Sequence, residues 1–172
     1  YIALLLLVIK NNESMAQIVI FTSCAIGCVL LSTIAADFIA KPLVERWRPS
    51  SDPLIKYAVD VVDDYRPGKY GFFSAHAANT FSLALYFSLW VKNRLFSFAM
   101  ISWSLLNCYS RIYLGAHYPS DVVVGLLVGA VIAVLFYLLS RKLFFKISSN
   151  FNYVSTQYSA TGYSVTDIDM VL

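Results

Sequence analysis

VVVGLLVGAVIAVLFYLLS, residues 122–140, runs for 19 positions without an Asp, Glu, Lys or Arg. At 1.5 Å per residue such a run makes a helix of about 28 Å, close to the ~30 Å hydrocarbon layer of a bilayer. Three further uncharged runs precede it: Ser14 to Ala36 (23 residues), Tyr70 to Val91 (22) and Leu95 to Ser110 (16). Across all 172 residues, 59% are hydrophobic, 13% are charged and the mean hydropathy is +0.66. A soluble domain would carry about 25% charged residues. The chain therefore reads as an integral membrane protein, all-α, and not as a disordered, collagen-like or disulfide-stapled one. The net charge of +3 is too small and too dispersed for a nucleic-acid surface, so no nucleic-acid partner is expected. Cys24, Cys28 and Cys108 all lie inside apolar runs, where a thiol packs as a small hydrophobe.

Working outward, the pattern predicts a polytopic transmembrane helix bundle of about five helices. Four are complete, near 15–40, 72–91, 95–114 and 120–140, and an apolar remnant precedes them at 1–9. Nine residues make only about 14 Å of helix, so the chain is expected to be a fragment with an upstream segment missing, or to open with a stub that dips into the membrane. The membrane domain is taken as 1–146 and the rest, 147–172, as a solvated polar tail, since 14 of its 26 residues are Ser, Thr, Tyr, Asn or Gln. Lys92-Asn93-Arg94 is a tight turn. The stretch from Lys41 to Lys69 is a long loop with eleven charges, and long loops in compact proteins commonly carry function.

Threading the helices back and forth puts the Lys41–Lys69 loop and the Arg111–Asp121 turn on one face. Lys10, Lys92, Arg94, Arg141, Lys142 and Lys146 fall on the other. Basic residues mark the cytoplasmic side, yet seven Lys and Arg face six, with the loop side ahead. Setting aside Lys41, Arg48 and Arg111 as recruited for chemistry leaves four against six. That count puts the loop side on the extracytoplasmic face of the membrane.

Three stretches on that face carry chemistry. In the first, Lys41-Pro-Leu-Val-Glu-Arg-Trp-Arg48-Pro49, a helical path would turn about 700° over seven residues, aiming Lys41 and Arg48 the same way at an anion. In the second, Ser74-Ala75-His76 opens a helix, where a hydroxyl, unbonded backbone N–H groups and the positive dipole end favour phosphate. In the third, Ser110-Arg111 is followed by Gly115, His117 and Asp121. Asp121, four residues on, can reach back to one imidazole nitrogen of His117 and leave the other with a lone pair. Read singly, these are also a snorkelling basic end, an interfacial histidine and a helix-opening acid. Both histidines of the chain and three spaced cations on one face favour a common site. Asp60, Asp63 and Asp64 form an acidic group in the loop, which is read as solvated; no metal is assigned.

The ordered set Lys-x6-Arg-Pro, Ser-x-His and Ser-Arg-x5-His-x3-Asp resembles the type 2 phosphatidic acid phosphatase (PAP2) superfamily over residues 15–140. The third motif matches completely; in the second, Phe73 and Ala75 stand where the family carries Pro and Gly. The resemblance implies a core of six membrane helices and a metal-independent, cofactor-free lipid phosphatase. His117 would be the nucleophile, forming a phosphohistidine, with Asp121 orienting it and His76 acting as acid and then base. Lys41, Arg48, Arg111, Ser74 and the Ala75 N–H would hold the phosphate oxygens. The implied substrates are lipid phosphates or diphosphates: undecaprenyl diphosphate, slightly favoured, phosphatidylglycerol phosphate, phosphatidic acid or a lipid A phosphate. The alternatives are a vanadium-dependent haloperoxidase-like enzyme and a non-catalytic phospholipid-binding membrane protein. Oligomeric state is not encoded in any of these motifs.

Overall fold

The computed structural model describes residues 2–12, 14–59, 61–62, 65–147, 168 and 171. Among the described residues six α-helices follow one another: α1 (Ile2–Lys10), α2 (Met15–Thr33), α3 (Lys41–Val44), α4 (Ala75–Val91), α5 (Arg94–Tyr113) and α6 (Pro119–Ile147). A π-helical stretch, Ile34–Ala40, joins α2 to α3, so that Met15–Val44 is one rod of 30 residues. That rod and Pro119–Phe144 are long and apolar enough to cross a membrane. No strand occurs among the described residues; an isolated antiparallel bridge pairs Trp47 with Tyr70. The acidic group Asp60, Asp63 and Asp64 lies outside the described residues, as does the polar tail except Ile168 and Val171. Ile168 is buried in the apolar cluster that contains Phe21, Trp90 and Phe144.

Local chemistry sets the helix ends. Ser14 opens α2 with a capping box, its side chain accepting from the Ala16 N–H while Gln17 accepts from the Ser14 N–H. Asn93 Oδ1 accepts from the Phe96 N–H at 3.0 Å to open α5, directly after Lys92 closes α4 in the left-handed region (φ 52°). This is the tight turn read from Lys92-Asn93-Arg94. Glu45 (φ 49°) ends α3 in the same way. The chain from Lys41 to Arg48 is thus not helical throughout, and the two-turn argument for their common direction does not hold; Arg48 reaches the site along extended backbone.

Helix α4 lies at the centre, packed against α2, α5 and α6. Its contact with α6 depends on Gly125 and Gly129, spaced as the small residues that let membrane helices approach closely. A Cβ at Gly125 would stand 2.7 Å from the Ser74 carbonyl oxygen, and one at Gly129 would stand 2.6 Å from that of Ala78. Polar ties link the other helices: Asn79 Nδ2 donates to Thr33 Oγ1 at 3.0 Å, and the Thr80 and Ser104 hydroxyls lie 3.1 Å apart. At the far end, Phe21 packs on Tyr86, Phe87 and Trp90 with ring centroids 5.1 to 5.6 Å apart. Trp90 Nε1 donates to Ser140 Oγ at 3.0 Å, satisfying an indole that would be costly to leave unpaired among apolar groups. Phe98, Leu106, Leu127, Val131 and Leu135 face outward, all more than half exposed, as a lipid-facing surface requires. All three cysteines are free and buried.

Candidate active site

The close approach of α4 and α6 brings the Ser74–His76 and His117–Asp121 segments to one end of the bundle. The Ser74 N–H donates to the Asp121 carbonyl oxygen at 3.1 Å, and Ser74 Oγ caps α4 by accepting from the Ala77 N–H at 3.4 Å. The opening N–H groups of Ala75 and His76 have no intrahelical acceptor, so the positive end of α4 faces the same region.

The segment 46–48 pairs with 69–71 through two backbone hydrogen bonds. Arg48 N–H donates to Lys69 O at 3.0 Å, and Gly71 N–H donates to Arg46 O at 2.9 Å. This pairing delivers the Arg48 guanidinium: its Nε donates to Tyr70 O at 3.0 Å and one terminal nitrogen to Ala116 O at 3.2 Å. The same terminal nitrogen lies 3.2 Å from His117 Nε2. Burial lowers Arg48 from its ordinary pKa, opposed by the charges of Tyr65, Asp37 and Asp121.

His117 is 3% exposed. Its Nδ1 lies 2.9 Å from Gly71 O, and a carbonyl can only accept, so Nδ1 carries the proton and Nε2 the lone pair. Burial, with Arg48 and Lys41 next, pushes the imidazole down to about 3. It is therefore neutral at physiological pH. Asp121 Oδ2 stands 3.9 Å from Nδ1, beyond hydrogen-bonding distance. The orienting contact expected from Asp121 is instead made by the Gly71 carbonyl. Asp121 is fully buried and occupied elsewhere: Oδ1 accepts from Arg46 at 2.7 Å and Oδ2 from the Tyr118 N–H at 3.1 Å.

His76 is exposed. Arg111, Lys41 and Arg48 lie within electrostatic reach of it, and Lys41, Arg48 and His76 within reach of His117. Lys41 is ion-paired with Asp37, one turn earlier on the π-helical stretch. Arg111 Nε donates to Ser110 Oγ at 3.2 Å. Reading the motifs missed Gly71 and Arg46. The signal for Gly71 was its place just before the Ser74 motif. For Arg46 it was a third cation between Lys41 and Arg48. Among the described residues no group of three or more His, Cys, Asp or Glu stands together to hold a metal ion.

A cavity of about 620 Å³ runs between α1, α2 and α4, from His76, Asn79 and Thr80 to Phe21 and Phe87, with apolar walls such as Ile26 and Leu83. The eleven-residue step from His76 to Phe87 corresponds to a depth of about 16 Å along α4.

The arrangement is a neutral imidazole whose Nε2 lone pair accepts from the Arg48 guanidinium, a second imidazole and further cations within electrostatic reach, beside an apolar cleft. The pattern of the PAP2 superfamily matches residues 21–145. The chain is 33% identical over 151 residues to a lipid A 4'-phosphatase of Bacteroides thetaiotaomicron, covering 87% of this chain and 67% of that protein. It is 40% identical over 111 residues to the lipid A 4'-phosphatase of Porphyromonas gingivalis, covering 62% of this chain and 47% of the relative. Rat sphingosine-1-phosphate phosphatase 1 is 33% identical over 94 residues, 54% of this chain and 22% of that protein. No solved structure matches the chain.

Proposed function

The chain belongs to the PAP2 superfamily, and from that membership we propose that it is a membrane lipid phosphatase that hydrolyses a lipid-linked phosphate ester through a phosphohistidine. The observation that carries the proposal is His117, whose Nδ1 is held by Gly71 O while Nε2 keeps its lone pair beside Arg48.

In the proposed first step His117 Nε2 attacks phosphorus, the P–N bond forms, and the bond from phosphorus to the lipid oxygen breaks. His76 donates a proton to that leaving oxygen. In the second step His76 takes a proton from water, the water oxygen attacks phosphorus, and the P–N bond breaks to release inorganic phosphate. Arg48, Lys41, Arg111 and the N–H groups opening α4 stabilise the equatorial oxygens, the main demand of phosphoryl transfer. In-line displacement places the leaving group opposite His117, on the His76 side. The apolar cleft begins at His76, which suits a leaving group with a hydrocarbon tail.

The relatives named as lipid A 4'-phosphatases make a lipid A-type phosphomonoester the first substrate to test, ahead of undecaprenyl diphosphate. On this reading the protein lies in the inner membrane, its site faces the periplasm, and turnover needs no metal. The test is phosphate release by the purified protein from lipid A, undecaprenyl diphosphate, phosphatidylglycerol phosphate and phosphatidic acid, with EDTA present. Release from at least one lipid by the parent protein, and from none by His117→Ala inserted at normal levels, is expected. Undiminished release by His117→Ala overturns the nucleophile assignment.

A further inference from the structure

The apolar cleft has a polar collar at its catalytic end. Of the described residues that line it, four are polar: His76, Asn79, Thr80 and Thr22. Thr22 adjoins Phe21 at the deep end, away from His76. The Thr80 hydroxyl is already engaged, donating to His76 O at 2.9 Å with the Ser104 hydroxyl 3.1 Å away. Asn79 is different. A primary amide has two N–H donors and an oxygen with two lone pairs. One hydroxyl, that of Thr33, meets it, 3.0 Å from Nδ2 and 3.4 Å from Oδ1. An N–H and a lone pair of Asn79 are thus left for whatever occupies the cleft.

Asn79 follows His76 by three residues, so it stands on the same face of α4 about 4.5 Å deeper. On the lipid phosphatase reading, His76 gives its proton to the leaving oxygen, and Asn79 then lies level with atoms about three bonds along the departing alcohol. We infer that Asn79 is a specificity-determining residue that recognises a hydrogen-bonding oxygen or nitrogen at that place in the lipid. The inference rests on the lipid phosphatase reading and narrows its substrate class. A phosphate carried on a polyol, an amino alcohol or a sugar has such an atom on the neighbouring carbon. A phosphate on a plain alkyl or polyprenyl alcohol has none. In that case hydrocarbon covers the Asn79 amide, and its remaining polar groups lose water with nothing in exchange. A polar group placed to bond its ligand rejects an analogue lacking the partner more strongly than an apolar wall rejects a change in length.

The experiment compares kcat/KM for a 1-acylglycerol 3-phosphate and an alkyl monophosphate of matched chain length, at equal surface concentration in mixed micelles with the full chain. The first carries a hydroxyl three bonds from the phosphate ester oxygen, and the second has only methylenes there. The parent is expected to prefer the first by about tenfold or more. In Asn79→Leu the ratio should fall to near one. Thr33→Val removes the hydroxyl that ties Asn79 to α2 and is expected to keep the preference, which separates recognition from the helix contact. Equal turnover of the two lipids by the parent overturns the assignment without any variant, so a failure of Asn79→Leu to fold leaves it testable. A preference that survives in Asn79→Leu, or that Thr33→Val abolishes as fully, overturns it too, as does cleavage of neither lipid. Turnover without discrimination removes only the role of Asn79, whereas a parent protein that releases phosphate from no lipid at all removes the phosphatase reading itself.

Discussion

The carbonyl oxygen of Gly71 sits 2.9 Å from His117 Nδ1, joining two residues 46 positions apart and fixing which imidazole nitrogen keeps its lone pair. A Cβ at Gly71 would stand 2.8 Å from Arg48 Cγ and 3.5 Å from His117 Nδ1. Gly71→Ala is therefore expected to displace Arg48 and disturb the imidazole. Because misplacing a reacting group by ~1 Å costs about 10²-fold, kcat should fall on that order while membrane insertion persists. Steady-state kinetics on purified variants check this; parent activity in Gly71→Ala would show that the contact is dispensable.

The burial of His117 also makes folding sensitive to acid. An ordinary histidine takes a proton near 6.5, but His117 resists protonation to about 3. Between those values the unfolded chain binds a proton that the folded chain does not, so stability is lost as pH falls through that window and is fully present above it. Thermal denaturation in detergent at pH 7 and pH 4 should show a smaller difference for His117→Gln than for the parent. Equal differences would show that this histidine is not held neutral by the fold.

At the junction of α4 and α6, Gly125→Ala places a methyl group 2.7 Å from the Ser74 carbonyl oxygen and 3.1 Å from Ala77 Cβ. Overpacking of this kind costs about 1–3 kcal/mol. Since the same contact brings the two histidine-bearing segments together, the denaturation midpoint and kcat should fall in parallel. Loss of stability alone would separate the helix contact from the site geometry.

Asp37 pairs with Lys41 and lies within electrostatic reach of Arg48 and His76. Neutralising it frees Lys41 for phosphate oxygens. Asp37→Asn is expected to bind inorganic phosphate more tightly, by no more than about fivefold, because a partly exposed pair contributes at most ~1 kcal/mol. Product-inhibition constants for phosphate measure this directly, and weaker binding in the variant would contradict it.

Much of the bundle was legible before any coordinates. The uncharged runs at 14–36, 70–91 and 122–140 became α2, α4 and α6, and Lys92-Asn93-Arg94 became the turn it was expected to be. The expectation that the three motif segments share one face matches the contacts of Ser74 with Asp121 and of Arg48 with His117. The direction of Arg48 was not legible: its reading assumed a helix through residues that Glu45 interrupts.

What the amino-acid order alone determined is local and periodic: hydrocarbon-length helices, their capping residues, and the kinds of side chain suited to an oxyanion. These follow from each segment's own apolar content and from neighbours within one or two turns. The tertiary structure decided the partners: Gly71 rather than Asp121 on His117, and Arg46 on Asp121, pairs separated by 46 and 75 positions. No spacing rule links such distant residues. Their meeting depends on how closely α4 and α6 approach across Gly125 and Gly129, and on extended pairing within a loop that has no period to read.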